Sequence, residues 1–123
     1  MSIMSTKDVN DAHPWIGVPL ECGEGWNKLL HKMFLAIEKR IAEQGMTVAE
    51  SGLKMAQIKE KFGTLRVYYH GGPDISDLVE AAVEKSGKTC DECGRVGELH
   101  SAGYWVMTRC KKHLPANAKK LTS

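Results

Sequence analysis

The chain has 123 residues, 42% hydrophobic and 26% charged, with a formal net charge of +2, values typical of a globular domain and unlike those of disordered or collagen-like chains. No apolar run reaches the ~18 residues a membrane helix needs, and the polar start lacks a signal-peptide stretch, so a cytoplasmic protein with no membrane partner is expected. Folding at this length buries only about two thirds of the extended surface, so a structural metal would contribute much of the stability.

Residues 1–12 are polar and patternless and are expected to form a disordered tail. Residues 13–20 read as an extended segment, because Pro14 and Pro19 bias their predecessors away from helix, with Trp15 and Ile16 pinning it to a core. Gly23 and Gly25 mark the start of a helix over 26–44, in which Trp26, Leu29, Leu30, Met33, Phe34, Ile37 and Ile41 form one apolar stripe. Gly45 caps it. Lys28, Lys32, Lys39 and Glu43 are assigned to its solvated face.

Residues 55–70 read as a β-hairpin turning at Phe62 and Gly63. A two-residue turn pairs Lys61 with Thr64 and places Ala56 and Ile58 with Leu65, Val67 and Tyr69 on one face. Gln57, Lys59, Lys61, Arg66, Tyr68 and His70 then share the other. Phe is an unusual first residue for such a turn. Asp74 is positioned to cap a second helix, with Ile75, Leu78, Val79, Ala82 and Val83 as its stripe. The expected fold is α+β: a core over 13–87 of two helices packed on a hairpin, then a zinc-ribbon or treble-clef-like module over 88–114 and a tail over 115–123. Within the module, strands are expected over 96–101 and 104–109, joined near Ala102 and Gly103.

The module carries the sharpest chemical signal. Cys90 and Cys93, then Cys110 and His113, give C-x2-C-x16-C-x2-H, a spacing that closes a tetrahedral site when a hairpin brings two ligand pairs together. Gly94 suits the tight turn after Cys93. One structural Zn2+ is the expectation. Disulfides are disfavoured in a reducing compartment, and a redox Cys90 and Cys93 pair lacks the strand-to-helix context such motifs need. His100 could replace His113 but lacks the paired spacing.

The run IKEKFGTLRVYY from Ile58 to Tyr69, the acidic helix after it and the Cys/His module with Gly-Tyr-Trp before its second pair resemble small, largely uncharacterised proteins encoded by tailed bacteriophages and prophages. The resemblance spans roughly residues 25–113. It implies phage origin and zinc binding, and carries no catalytic residues.

Two binding readings follow. Lys59, Lys61, Arg66, Tyr68 and His70 form an aromatic and cationic patch suited to an acidic protein surface; with the resemblance, this implies a non-enzymatic module that modulates or inhibits a bacterial host protein, such as a defence or regulatory component, in the host cytoplasm. The alternative is DNA or RNA binding through Arg95, Trp105, Arg109, Lys111 and Lys112, because residues 85–123 hold eight cations against three acids and residues 1–84 carry net −3. Catalytic signals are weak. Cys22 with His13 or His31 has the atoms of a nucleophile and base without a nucleophile motif. Glu21 and Glu24 more simply complement a helix N-terminus, and Gly71 and Gly72 lack P-loop spacing. Oligomeric state and partner identity are not encoded in any recognisable pattern.

Overall fold

The computed structural model describes residues 3–121; Met1 and Ser2, the start of the expected N-terminal tail, and Thr122 and Ser123, the end of the expected C-terminal one, lie outside them. The fold is α+β, with four helices and two small sheets among the described residues. Helix α1 (Thr6–Ala12) occupies most of the segment expected to be disordered. Ser5 caps it by accepting from the Asp8 N–H at 3.0 Å. Its one large apolar residue, Val9, is fully buried in the core. One buried contact in seven residues has no periodicity to detect, which is why the sequence reads as patternless.

The next segment is less extended than expected: it turns at Pro14 and Trp15, where the Ile16 N–H donates to the His13 carbonyl at 3.2 Å, and Gly17 has φ of 70°, so the strand begins only at Leu20. Ile16 is buried, Trp15 stands edge-on to Phe34 with centroids 5.5 Å apart, and β1 (Leu20–Glu21) pairs in parallel with β2. A 3-10 turn (Glu24–Trp26) that buries Trp26 leads into α2 (Asn27–Glu43), whose buried apolar positions are the rest of the predicted stripe, with the polar Asn27 buried beside them. A one-turn helix, α3 (Val48–Ser51), follows. It begins with a capping box in which the Thr47 hydroxyl accepts from the Glu50 N–H and the Glu50 carboxylate from the Thr47 N–H.

Strands β2 (Lys54–Lys61) and β3 (Thr64–His70) form the hairpin, with Lys61 opposite Thr64 across a two-residue turn. Phe62 and Gly63 have φ of 52° and 84°, the paired left-handed conformations that match the twist of a hairpin. Phe62 thus accepts an unfavourable backbone. The Gly63 N–H donates to the Glu60 carboxylate at 2.7 Å and the Thr108 hydroxyl to the Gly63 carbonyl at 2.6 Å, holding the turn from both sides.

The expected apolar face needs one correction. A bulge between Met55 and Gln57 inserts an extra residue, so Ala56 turns outward and Met55 turns into the core beside Ile58 and Leu65. Helix α4 (Ser76–Ser86) then covers the hairpin and α2. Asp74 accepts from the Ser76 N–H at 3.0 Å. Arg40 of α2 forms a bidentate pair with Asp77 of α4, and the Ser86 hydroxyl accepts from the Leu65 N–H at 2.9 Å.

The second sheet has the order β5-β4-β6, from β4 (Glu98–Ala102), β5 (Trp105–Arg109) and β6 (Lys119–Lys120). Its turn is Gly103 and Tyr104, one residue later than expected. The segment after His113, read as a tail, instead returns to pair β6 with β4, opposite His100 and Ser101. No helix among the described residues is long and apolar enough to cross a membrane.

Candidate metal centre

The two ligand pairs sit on different local structures. Cys90 and Cys93 flank a tight loop closed by hydrogen bonds from the Gly94 N–H to the Cys90 carbonyl at 2.9 Å and from the Cys90 N–H to the Arg95 carbonyl at 2.7 Å. Gly94 has φ of 79°, as its place after the second cysteine suggests. Cys110 directly follows β5 and His113 lies one short turn later, with the His113 N–H donating to the Cys110 carbonyl at 3.0 Å.

These elements bring one ligand atom from each of Cys90, Cys93, Cys110 and His113 within 4.8 Å of one another. The Cys93 and Cys110 sulfurs are 3.6 Å apart, and His113 Nδ1 lies 3.2 Å from Cys110 Sγ and 3.7 Å from Cys90 Sγ. Donors about 2.0–2.3 Å from a tetrahedral ion stand roughly 3.3–3.8 Å apart, close to these separations, so the four residues fit a single metal ion. His100 is not among them. Burial pushes the Cys90 thiol up. Burial acts the same way on Cys110, but its hydrogen bonds with His113, Cys93 and Cys90 outweigh it and bring that thiol down to about 6, favouring the thiolate a metal requires.

The loop is docked tightly on the start of α2. The Gly25 N–H donates to the Asp91 carbonyl at 2.9 Å, and the buried Trp26 indole donates to the Thr89 carbonyl at 2.8 Å. A Cβ on Gly23 would lie 2.0 Å from the Asp91 carbonyl oxygen, and one on Gly25 would lie 2.3 Å from that of Cys90. Gly23 and Gly25, read as a helix start, thus serve a backbone-to-backbone approach that a side chain would block. On the far side, Gly63 at the hairpin turn packs against Leu99, Val106 and Met107.

Arg109 lies behind the loop. Its side chain is 14% exposed, donating Nε to Asp91 at 2.9 Å and a terminal nitrogen to Glu92 at 3.2 Å. Its guanidinium also lies 4.7 Å from the Trp105 ring centroid. Burial raises the Asp91 carboxyl above its ordinary value, and Arg109 pulls against that.

The residues proposed for nucleic-acid contact therefore have divided roles. Arg109 is committed to two carboxylates, Trp105 is half-exposed with Arg109 stacked on it, and Lys111 is exposed. Arg95 and Lys112 line a groove beside the metal ligands instead. The hairpin candidates do share one face, with Lys59 opposite Arg66 and Tyr68 opposite Gln57. His70 lies at its end, opposite Lys54, and Lys61 beside the turn.

One cluster has no counterpart in the sequence reading. His13, 1% exposed, bonds through Nδ1 to Glu38 at 2.7 Å and through Nε2 to His31 Nδ1 at 2.8 Å. The Trp15 indole donates to the same Glu38 oxygen at 2.6 Å. The polar chain satisfies a histidine buried under the N-terminal arm. Its members span 25 positions, so only the i, i+7 placement of His31 and Glu38 on one helix face hinted at it. Neither histidine hydrogen-bonds Cys22, whose thiol burial, Asp91 and Glu60 push up to about 12. Glu24 accepts from the Thr6 N–H at 3.1 Å, and Gly71 and Gly72 pack against Gly52 and Leu53.

Comparison with protein-family models, with curated proteins and with solved structures gives no match.

Proposed function

We propose that the protein is a zinc-stabilised, non-enzymatic interaction module that binds an acidic surface of a partner protein through the outer face of the β2–β3 hairpin. On the resemblance to phage-encoded proteins, the partner is a bacterial host protein, such as a defence or regulatory component, that the module modulates or inhibits in the host cytoplasm. The ion is assigned as one Zn2+ per chain, because three thiolates and an imidazole are the donor set that favours it. Four protein ligands fill a tetrahedron and leave no position for water or substrate, so the ion's part is structural: it ties a ribbon-like module to the core.

The observation that carries the reading is the charge arrangement on the hairpin. Lys59 stands directly opposite Arg66, a like-charge pair that weakens an antiparallel ladder. Neither is within ion-pair distance of a carboxylate among the described residues. Arg66 Nε is buried with no hydrogen-bond partner. Glu21, which flanks Lys59 in the sheet, accepts from Gln57. The exposed rings of Phe62 and Tyr68, at 64% and 47%, add anchors of the kind interfaces use. An acidic partner would supply the missing counter-charges. The nucleic-acid alternative is weaker, because Arg109 already has two carboxylates.

Metal analysis of the purified chain should give one zinc, lost together with the folded state in Cys93→Ser. Capture of host protein should survive nuclease and fall in a Lys59→Glu, Arg66→Glu double variant that keeps the wild-type circular dichroism. Capture abolished by nuclease and steeply reduced by salt would favour nucleic acid instead; a metal-free folded chain would overturn the zinc assignment.

A further inference from the structure

On another part of the surface, α2, α4 and the metal module enclose an open groove of about 720 Å³. Its floor is aliphatic: Leu29, Met33 and Ala36 from α2 face Leu78, Ala81 and Ala82 from α4. The spacing within each set is that of one helix face, and the three alanines leave room for a third helix to approach closely.

The groove's charged lining has a single sign except at one residue. Lys28, Lys32, Lys85, Arg95 and Lys112 line it, against Glu24 alone. None of the five cations forms an ion pair with a carboxylate among the described residues, whereas Glu24 already accepts from Thr6. A chain of formal charge +2 therefore gathers five cations against one acid around an apolar trough, an excess of +4 that falls to +3 once a Zn2+ held by three thiolates adds its −1 beside the groove. These cations come from four separate segments, and Lys28 and Lys32, read from sequence as a solvated face, are two of them.

We infer that this groove is a docking site for an acidic amphipathic helix of a partner protein. Aliphatic side chains of such a helix fill the trough while its carboxylates reach the lysines and Arg95 on both sides. Nucleic acid fits less well, because no Trp, Tyr or Phe lines the groove to stack a base. The inference rests on the chain being a protein-binding module but not on the hairpin face, which lies on different strands.

The test uses the zinc-loaded full chain and three fluorescent probes: a 16-residue peptide of Leu, Ala and Glu with its aliphatic residues at i, i+3, i+4 and i+7, a scrambled peptide of the same composition, and a single-stranded oligonucleotide. Binding is read by anisotropy and by amide shift changes. The patterned peptide should bind more tightly than the scrambled one and shift Leu29, Met33, Ala36, Ala81 and Ala82. Lys28→Glu with Lys32→Glu should weaken it about tenfold. Ala81→Trp, at an exposed position that leaves the core untouched, should block the trough. Lys59→Glu with Arg66→Glu should leave this peptide unaffected. Equal binding of the scrambled peptide, displacement of the peptide by oligonucleotide with the same shifts, or unchanged affinity in both groove variants would overturn the inference. Failure here with hairpin-dependent host capture intact would reject the groove alone; failure of both would reject the module reading.

Discussion

Substituting Gly25 with alanine should loosen the joint between the metal loop and α2. The new Cβ would lie 2.3 Å from the Cys90 carbonyl oxygen and 2.6 Å from the Asp91 carbonyl carbon, where ordinary contact begins at 3.4 Å. Both obstacles are backbone, so no side chain can rotate away and the loop must retreat by about 1 Å. That movement stretches the Gly25-to-Asp91 hydrogen bond of 2.9 Å and the Trp26-to-Thr89 bond of 2.8 Å beyond useful range. Two lost hydrogen bonds at about 1 kcal/mol each, with an overpacking cost of about 1–3 kcal/mol, predict a loss of about 3–5 kcal/mol. Gly45→Ala is the matched control: φ there is +76° and nothing lies within 4 Å of the added atom, so only the backbone preference is lost, about 1 kcal/mol. Urea unfolding of both variants at saturating zinc measures the difference. Competition with a chromophoric chelator should also show weaker zinc binding in Gly25→Ala alone, because the displaced loop carries Cys90 and Cys93. A Gly25→Ala variant no less stable than Gly45→Ala would refute the close-approach argument.

Three further outcomes are expected. Asp91→Asn leaves the largely buried Arg109 with Glu92 as its only carboxylate and should cost about 2 kcal/mol in the same urea assay, less than a fully orphaned buried charge because Glu92 remains; a loss under 0.5 kcal/mol, about the scale of a surface substitution, would contradict it. Thr47 hydrogen bonds lower Glu50, Ser76 lowers Asp74 and Arg40 lowers Asp77. Their stabilisation is complete above the ordinary values of 4.5 and 3.8 and is lost as pH falls through the depressed ones; carboxyl NMR titrations at or above those ordinary values would count against it. Cys22, raised from 9.0 to about 12, should react with iodoacetamide at pH 8 about a thousandfold more slowly in the folded chain than after unfolding, and mass-mapped labelling at the unfolded rate would disprove the burial argument.

Elements whose signal lies within a few residues were legible. The stripes of α2 and α4 repeat every three or four positions, the Phe62 and Gly63 turn separates two alternating strands, and Cys90, Cys93, Cys110 and His113 carry their own spacing. Where a single residue did the work, legibility failed. Helix α1 is held by Val9 and the Ser5 cap, and α3 by a Thr47 and Glu50 capping box in a segment without periodicity. Alternation alone places Ala56 on the apolar face, but the bulge between Met55 and Gln57 shifts the alternation by one residue without a compositional mark.

The amino-acid order alone determined the α+β class, the hairpin register at its turn and the four residues that gather into the candidate metal site, since periodicity, turn chemistry and ligand spacing are local properties of the chain. Only the tertiary structure decided what the charges and glycines are for. Arg109 pairs with Asp91 18 positions away and Trp26 reaches Thr89 across 63. Gly23 and Gly25 are required by a backbone that belongs to a later segment. Lys28, Lys32, Lys85, Arg95 and Lys112 become one surface only when α2, α4 and the metal loop meet, because charge adds in space rather than along the sequence.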